Sequence, residues 1–245
     1  MPEKSPTQLD RALLGLRSLV LAGDFEEGQR LSEVAVAKKL GTSRTPLRQA
    51  MDRLVSEGIL ERIDTGGCRV ATFTREDIAD AIELRGVLEG TAARLAAERG
   101  VKPETMAEAY AVLASIDTAL AGPDGLDFDA YVHHNARFHD LLAVFPQSPL
   151  IRKEIERLKL LPFASPSSFL NEHALIPDFL DSLRYAQRQH RSILEAIENR
   201  ESMRAEALAR EHARLALVNF NQLADAKTGL LQEVPGLALM ASTRS

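Results

Sequence analysis

Three of the six histidines, His139, His190 and His212, sit inside segments patterned as helices, and Asn135 precedes His139 by four residues. One helical turn therefore puts the Asn135 amide and the His139 ring on a common face. Three imidazoles and one amide oxygen converging from three helices would hold a divalent transition ion, since zinc, nickel, copper and iron all suit imidazole. Spacing alone leaves convergence open, because a single histidine on a helix is more often a polar group satisfied by its neighbours. His133 and His134 are offset from the His139 face, and His173 lies in a connection containing Pro, Ser and Asn, so these three read as surface or packing residues.

A second group lies near the amino end. Arg44, Thr45, Arg48 and Gln49 open a short amphipathic segment, and Arg44 and Arg48, four apart, share a face. An α-helix fits the major groove of DNA with its early residues against base edges. There arginine pairs bidentately with guanine, and threonine or glutamine supplies a hydroxyl or an amide. The alternative is a solvated helix start with two surface arginines.

The elements that must position these groups can be read around them. Leu9, Leu13, Leu16, Leu19 and Val20 make a helical stripe that Gly23 and Asp24 break. Ser32 is placed to cap a second helix with Glu33 in its first turn, apolar positions at Val34, Ala35 and Leu40, and Gly41 at its end. Thr42 or Ser43 can cap a third, with the stripe Leu47, Met51, Leu54 and Val55. Two short helices joined at a glycine form a helix-turn-helix. Residues 58–72 then read as strand, glycine turn and strand, a wing whose Arg62 and Arg69 flank the turn and could neutralise phosphates. Next, Thr74 can cap a helix carrying Ile78, Ile82, Leu84, Leu88, Ala92 and Leu95, and further helices are predicted over 103–120, 126–144, 149–160, 177–199 and 201–223.

Composition sets the frame. The 245 residues are 45% apolar and 27% charged, with 5% aromatics and no tryptophan, which suits a mainly α protein packed through Leu, Ala and Ile. The expected division is a winged helix-turn-helix over 1–73, an antiparallel all-α bundle of about six helices over 74–230, and a tail over 231–245. Of the formal charge of −5, residues 1–72 carry a net of +1, so the less acidic part is the one suited to a polyanion. Cys68 is the only cysteine, which excludes an internal disulfide and reads as an apolar filler. No stretch nears the roughly 20 apolar residues of a membrane span, and the start lacks a basic segment followed by an apolar one, so a cytoplasmic protein is expected.

The run Gly28-Gln29-Arg30-Leu31-Ser32-Glu33, then Leu40-Gly41-Thr42-Ser43-Arg44-Thr45-Pro46-Leu47-Arg48-Gln49-Ala50, Leu54, Glu57-Gly58-Ile59-Leu60 and the glycine wing, closely resembles the winged helix of GntR-family transcription regulators. The resemblance implies that Arg30, Ser43, Arg44, Thr45, Arg48 and the wing glycine Gly66 contact operator DNA. At the wing tip this chain has Asp64 and Thr65 where the family often carries an Asn or a base, which argues against minor-groove contact there. Further on, Glu83-Leu84-Arg85-Gly86-Val87-Leu88-Glu89, Asn135-Ala136-Arg137-Phe138-His139, Gln189-His190-Arg191 and His212 resemble the FCD effector domain of FadR-subfamily members. The metal-binding members of that group imply Asn135, His139, His190 and His212 as ligands, with zinc or nickel as the metal. Asn in place of the commoner Asp is a neutral, poorer donor, but an ion ringed by neutral ligands keeps its full charge and favours an anion beside it. Arg85 matches an arginine that grips an effector carboxylate; its alternative is a salt bridge to Glu89, four residues on.

The expectation is a bacterial DNA-binding regulator, a repressor working as a homodimer on a partly palindromic operator, whose helical domain binds a divalent metal and a small carboxylate effector. Two alternatives use the same histidines. One is a metal-dependent, hydrolase-like enzyme, disfavoured because no general base stands beside the motif; the other is a direct metal sensor.

Overall fold

The computed structural model describes residues 7–122, 126–161, 163–166 and 179–225, apart from the side chains of 223–225. His173 and the tail expected over 231–245 lie outside the described residues. The chain divides after Ile78 into two compact units.

In the first unit, helix α1 (Gln8–Leu21) opens on a capping box in which Thr7 and Asp10 satisfy each other's backbone amides. Helix α2 (Glu33–Leu40) starts at Ser32, whose hydroxyl accepts from the Ala35 amide, and stops at Gly41, where φ of 61° is a conformation glycine adopts without strain. The ends fix the length of α2, and packing against the rest of the first unit's core sets the face it turns inward. It buries Val36 and Ala37 in place of the expected Val34 and Ala35, and Val34 is 58% exposed. Helix α3 (Arg44–Ser56) buries Leu47, Ala50, Met51 and Leu54. Ser43 holds its N-cap position but makes no side-chain capping bond, and the Thr42 hydroxyl is buried without a partner, so the expected cap is not formed.

Strands β1 (Leu60–Arg62) and β2 (Cys68–Val70) pair antiparallel with Glu61 opposite Arg69. Their turn closes through Gly66 and Gly67, both at φ of 90°. The Leu31 amide donates to the Cys68 carbonyl at 2.9 Å and the Val70 amide to the Gln29 carbonyl at 3.0 Å. Residues 29–31 thus add a third edge to the wing, which no period-two pattern announced. Cys68 packs among Leu16, Leu54 and Ile59 as an apolar filler, and burial pushes its thiol pKa up.

Among the described residues six helices follow: α4 (Arg75–Arg99), α5 (Pro103–Leu120), α6 (Phe128–Val144), α7 (Pro149–Leu158), α8 (Phe179–Glu198) and α9 (Ser202–Asp225). Thr74 and Asp77 form a second capping box at the head of α4. Within the second unit α5 packs on α6 and α8, and α8 packs on α9. Gly86 and Gly90 let α4 approach α9 closely; a Cβ on Gly90 would stand 3.1 Å from the Glu206 carbonyl. Leu84, expected inside, is 49% exposed, whereas Arg85 and Glu89 are buried. Among the described residues no helix is long and apolar enough to cross a membrane.

Candidate metal centre and nucleic-acid interface

The core stripe of α8 runs Leu183, Gln187, His190, Leu194 and Ile197, so helical spacing carries His190 inward with its apolar neighbours. His139 comes inward from α6 beside Phe138, whose ring also packs on His190 at 4.2 Å between centroids. His212 comes from α9. All three imidazoles are buried, and their Nε2 atoms meet: His190 to His212 at 2.9 Å and His212 to His139 at 3.4 Å. Among the described residues this is the group of three donors that could hold a metal ion.

Each Nδ1 is occupied on the other side. His139 Nδ1 lies 2.9 Å from Glu89 Oε1, His190 Nδ1 3.1 Å from Gln187 Oε1, and His212 Nδ1 3.0 Å from Gln189 Oε1. Burial alone would raise the Glu89 pKa, but the His139 ring and the Arg85 charge outweigh it and hold the carboxyl below its usual range, so it accepts. His139, His190 and His212 are all pushed down by burial, His212 to about 3, so the rings are neutral. A neutral ring that donates from Nδ1 carries a lone pair on Nε2. Three such lone pairs therefore point at one centre. They repel unless a positive charge lies between them, and one proton can relieve only one pair. Two nitrogens bound to one ion at about 2.0–2.1 Å lie roughly 2.9–3.4 Å apart for angles from a right angle to the tetrahedral angle, which the observed spacings match. The donor set fits a divalent ion.

Asn135 is buried one turn before His139 and lines the same small cavity, about 40 Å³, as His139 and His212. Tyr131, Ser182, Asn219 and Arg85 add polar groups to its wall. The Arg85 guanidinium donates to the carbonyls of Ser165 at 2.8 Å, Ala213 at 3.2 Å and Ala164 at 3.3 Å. Its Nε lies 3.8 Å from Glu89 Oε2, and neither atom has a hydrogen-bond partner. The salt bridge weighed as an alternative is thus present but long, and most of the guanidinium is spent on backbone. His133 is exposed and stacks edge-on with His134, away from the cluster. A larger open groove of about 420 Å³ beside Met106, Tyr110 and Ile197 contains none of the expected site residues.

Glu89, Gln187 and Gln189 are the functional candidates that sequence reasoning missed. The available signal was polarity in the wrong place, since Gln187 lies on the buried stripe of α8 and is 4% exposed.

On the first unit, Ser43, Arg44, Thr45, Arg48 and Gln49 are exposed together at the start of α3. Arg48 is held by Glu33, Nε to Oε2 at 2.7 Å. Arg30 donates to the Gly66 carbonyl at 2.9 Å, tying it to the wing turn. Arg62 and Arg69, expected to neutralise phosphates, pair with Asp52 and Glu61 instead; such exposed pairs are weak enough to exchange a carboxylate for a phosphate.

Residues 80–215 match the FCD domain family, and residues 10–70 match the family described as bacterial regulatory proteins, gntR family. The chain is 26% identical over 198 residues to the HTH-type transcriptional regulator YdhC of Bacillus subtilis, covering 79% of this chain and 83% of that one. Over 184 residues it is 28% identical to a probable D-xylose utilization operon transcriptional repressor of Paenarthrobacter nicotinovorans, covering 73% and 74%. The solved structure of McbR/YncC from E. coli shares the fold, with a TM-score of 0.63 at 22% identity over 89% of this chain and 99% of that one. The relatives are regulators, not enzymes, which decides against the hydrolase-like alternative. With both parts matched in order, the chain belongs to the gntR family of bacterial regulatory proteins, in the branch that carries an FCD domain, and is a DNA-binding transcription regulator.

Proposed function

We propose that this regulator is a metal-dependent, effector-responsive repressor that binds a partly palindromic operator as a homodimer. Residues 1–73 form the reading module: α3 enters the major groove with Ser43, Arg44, Thr45 and Arg48, while Arg30 and Gly66 bring the wing to the backbone. Twofold symmetry doubles the contacts of a helix that alone reads only a few base pairs. Residues 74–230 form the sensing module. Asn135, His139, His190 and His212 hold zinc or nickel, which when bound supplies a positive, ligand-accepting centre. Arg85, whose Nε makes no hydrogen bond and only a long ion pair with Glu89, and the Asn and Tyr groups of the cavity wall suit a small carboxylate. The observation that carries this reading is the convergence of three neutral, Nδ1-satisfied imidazoles with their Nε2 atoms 2.9 and 3.4 Å apart.

An effector can release DNA only by binding the non-operator arrangement more tightly. The small cavity, about 40 Å³, favours a second reading in which the ion itself is the signal. Operator binding titrated with zinc or nickel, with and without small carboxylates, separates the two. A response to carboxylate only in the presence of metal supports the first, and a response to metal alone the second. His190→Ala should lower metal content and abolish the response while sparing DNA binding; unchanged metal content means the site is misplaced.

A further inference from the structure

Gln187 supplies no ligand atom, yet both ends of its side-chain amide are held. Its Nε2 donates to the Leu113 carbonyl at 2.8 Å and to Asp117 Oδ1 at 2.9 Å, both on α5. Two acceptors at Nε2 fix which end of the amide is nitrogen, so Oε1 must be the atom that faces His190 Nδ1 at 3.1 Å. Asp117 is held in turn through its other oxygen by Arg191 on α8. The chain of contacts runs from the surface pair Arg191 and Asp117, through a buried amide, to one imidazole of the cluster.

We infer that Gln187 is a positioning residue for His190: anchored by α5, it dictates the tautomer that turns the Nε2 lone pair toward His139 and His212. This rests on the metal reading above and makes α5, which contributes no ligand, part of the site. The three rings are then held unequally, His139 by a carboxylate and the other two by neutral amides. A neutral acceptor raises ring basicity less than a carboxylate does, so the contribution of Gln187 is orientation.

The test uses the full chain with zinc(II) alone and then nickel(II) alone, affinities being measured by competition with a chelator. Gln187→Met preserves side-chain length and removes the acceptor. Metal affinity should fall by about 10–100-fold, as loss of an outer-sphere partner does. In the metal-free variant, nitrogen NMR should show His190 as a mixture of tautomers while His139 and His212 keep theirs. A merely structural role for Gln187 would alter stability and leave the tautomer alone. Asp117→Ala, made at the surface end of the relay, should give a smaller loss in the same direction and serves if Gln187→Met does not fold. Zinc affinity equal to wild type in whichever variant folds, or an unchanged His190 tautomer in Gln187→Met, overturns the inference. If His190→Ala too binds zinc as wild type does, the metal reading itself has failed, and that result is distinguishable from the first.

Discussion

Arg48, proposed above to enter the major groove, is held in the free protein by a surface pair. Its pair with Glu33 is exposed, and exposed pairs contribute little to stability. Arg48→Ala should therefore leave denaturation within about 0.5 kcal/mol of wild type. Specific operator binding should weaken by about 1–3 kcal/mol, the discrimination a bidentate arginine supplies. The measurement is affinity for a selected operator against random competitor at matched salt, and an unchanged ratio would remove Arg48 from the groove. The histidines present the opposite balance, since three neutral buried rings are costly without a shared cation and make sense as a set. Helical spacing put Asn135 and His139 on one face but left convergence open; the family resemblance was what joined His139 to His190 and His212, the three rings that the fold brings together. Sequence did not expose Glu89, Gln187 or Gln189 as their partners, because which polar neighbour meets which Nδ1 depends on how four helices, α4, α6, α8 and α9, stand against one another.

At the level of elements, α4 and α9 touch through glycine. A Cβ on Gly90 would lie 2.7 Å from Arg210 Cγ and 3.1 Å from the Glu206 carbonyl. The first contact can yield, because an arginine stem is flexible, but the second is backbone. Gly90→Val should thus destabilise the helical unit by about 1–3 kcal/mol through overpacking, despite the poor helix propensity of the glycine it replaces. Chemical denaturation followed by circular dichroism checks this, and a neutral or stabilising result would show that the two helices are free to part. The cap at the head of α4 offers a second test: Thr74→Ala removes the hydroxyl that accepts from the Asp77 amide at 3.0 Å and should cost about 1 kcal/mol. Helix existence and the caps at Ser32 and Thr74 were legible because they are local, whereas the cap expected at Thr42 or Ser43 does not form. Which face turned inward was not always so. Val34 and Leu84 are apolar and exposed, while Val36, Arg85 and Glu89 are buried, since neighbouring helices choose the face and α4 turns a charged pair toward the cluster.

For the molecule as a whole, the two units have separate cores, so heat should unfold them as distinguishable steps. A ligand bound only by the folded state adds stability that grows with its excess over Kd, about 4 kcal/mol at a thousandfold excess. If zinc or nickel occupies the three-histidine centre, a chelator should lower the melting temperature of the helical unit by several degrees and leave the winged helix where it was. The chain is built to separate these signals. It has no tryptophan, and its three tyrosines, Tyr110, Tyr131 and Tyr185, all lie in the helical unit. Tyrosine fluorescence therefore follows that unit alone, whereas far-ultraviolet circular dichroism follows both. The expected outcome is a chelator-sensitive fluorescence transition beside a dichroism component that does not move. A common shift in both signals would show that the units unfold together, and no shift in either, with metal supplied beforehand, would count against an ion at His139, His190 and His212.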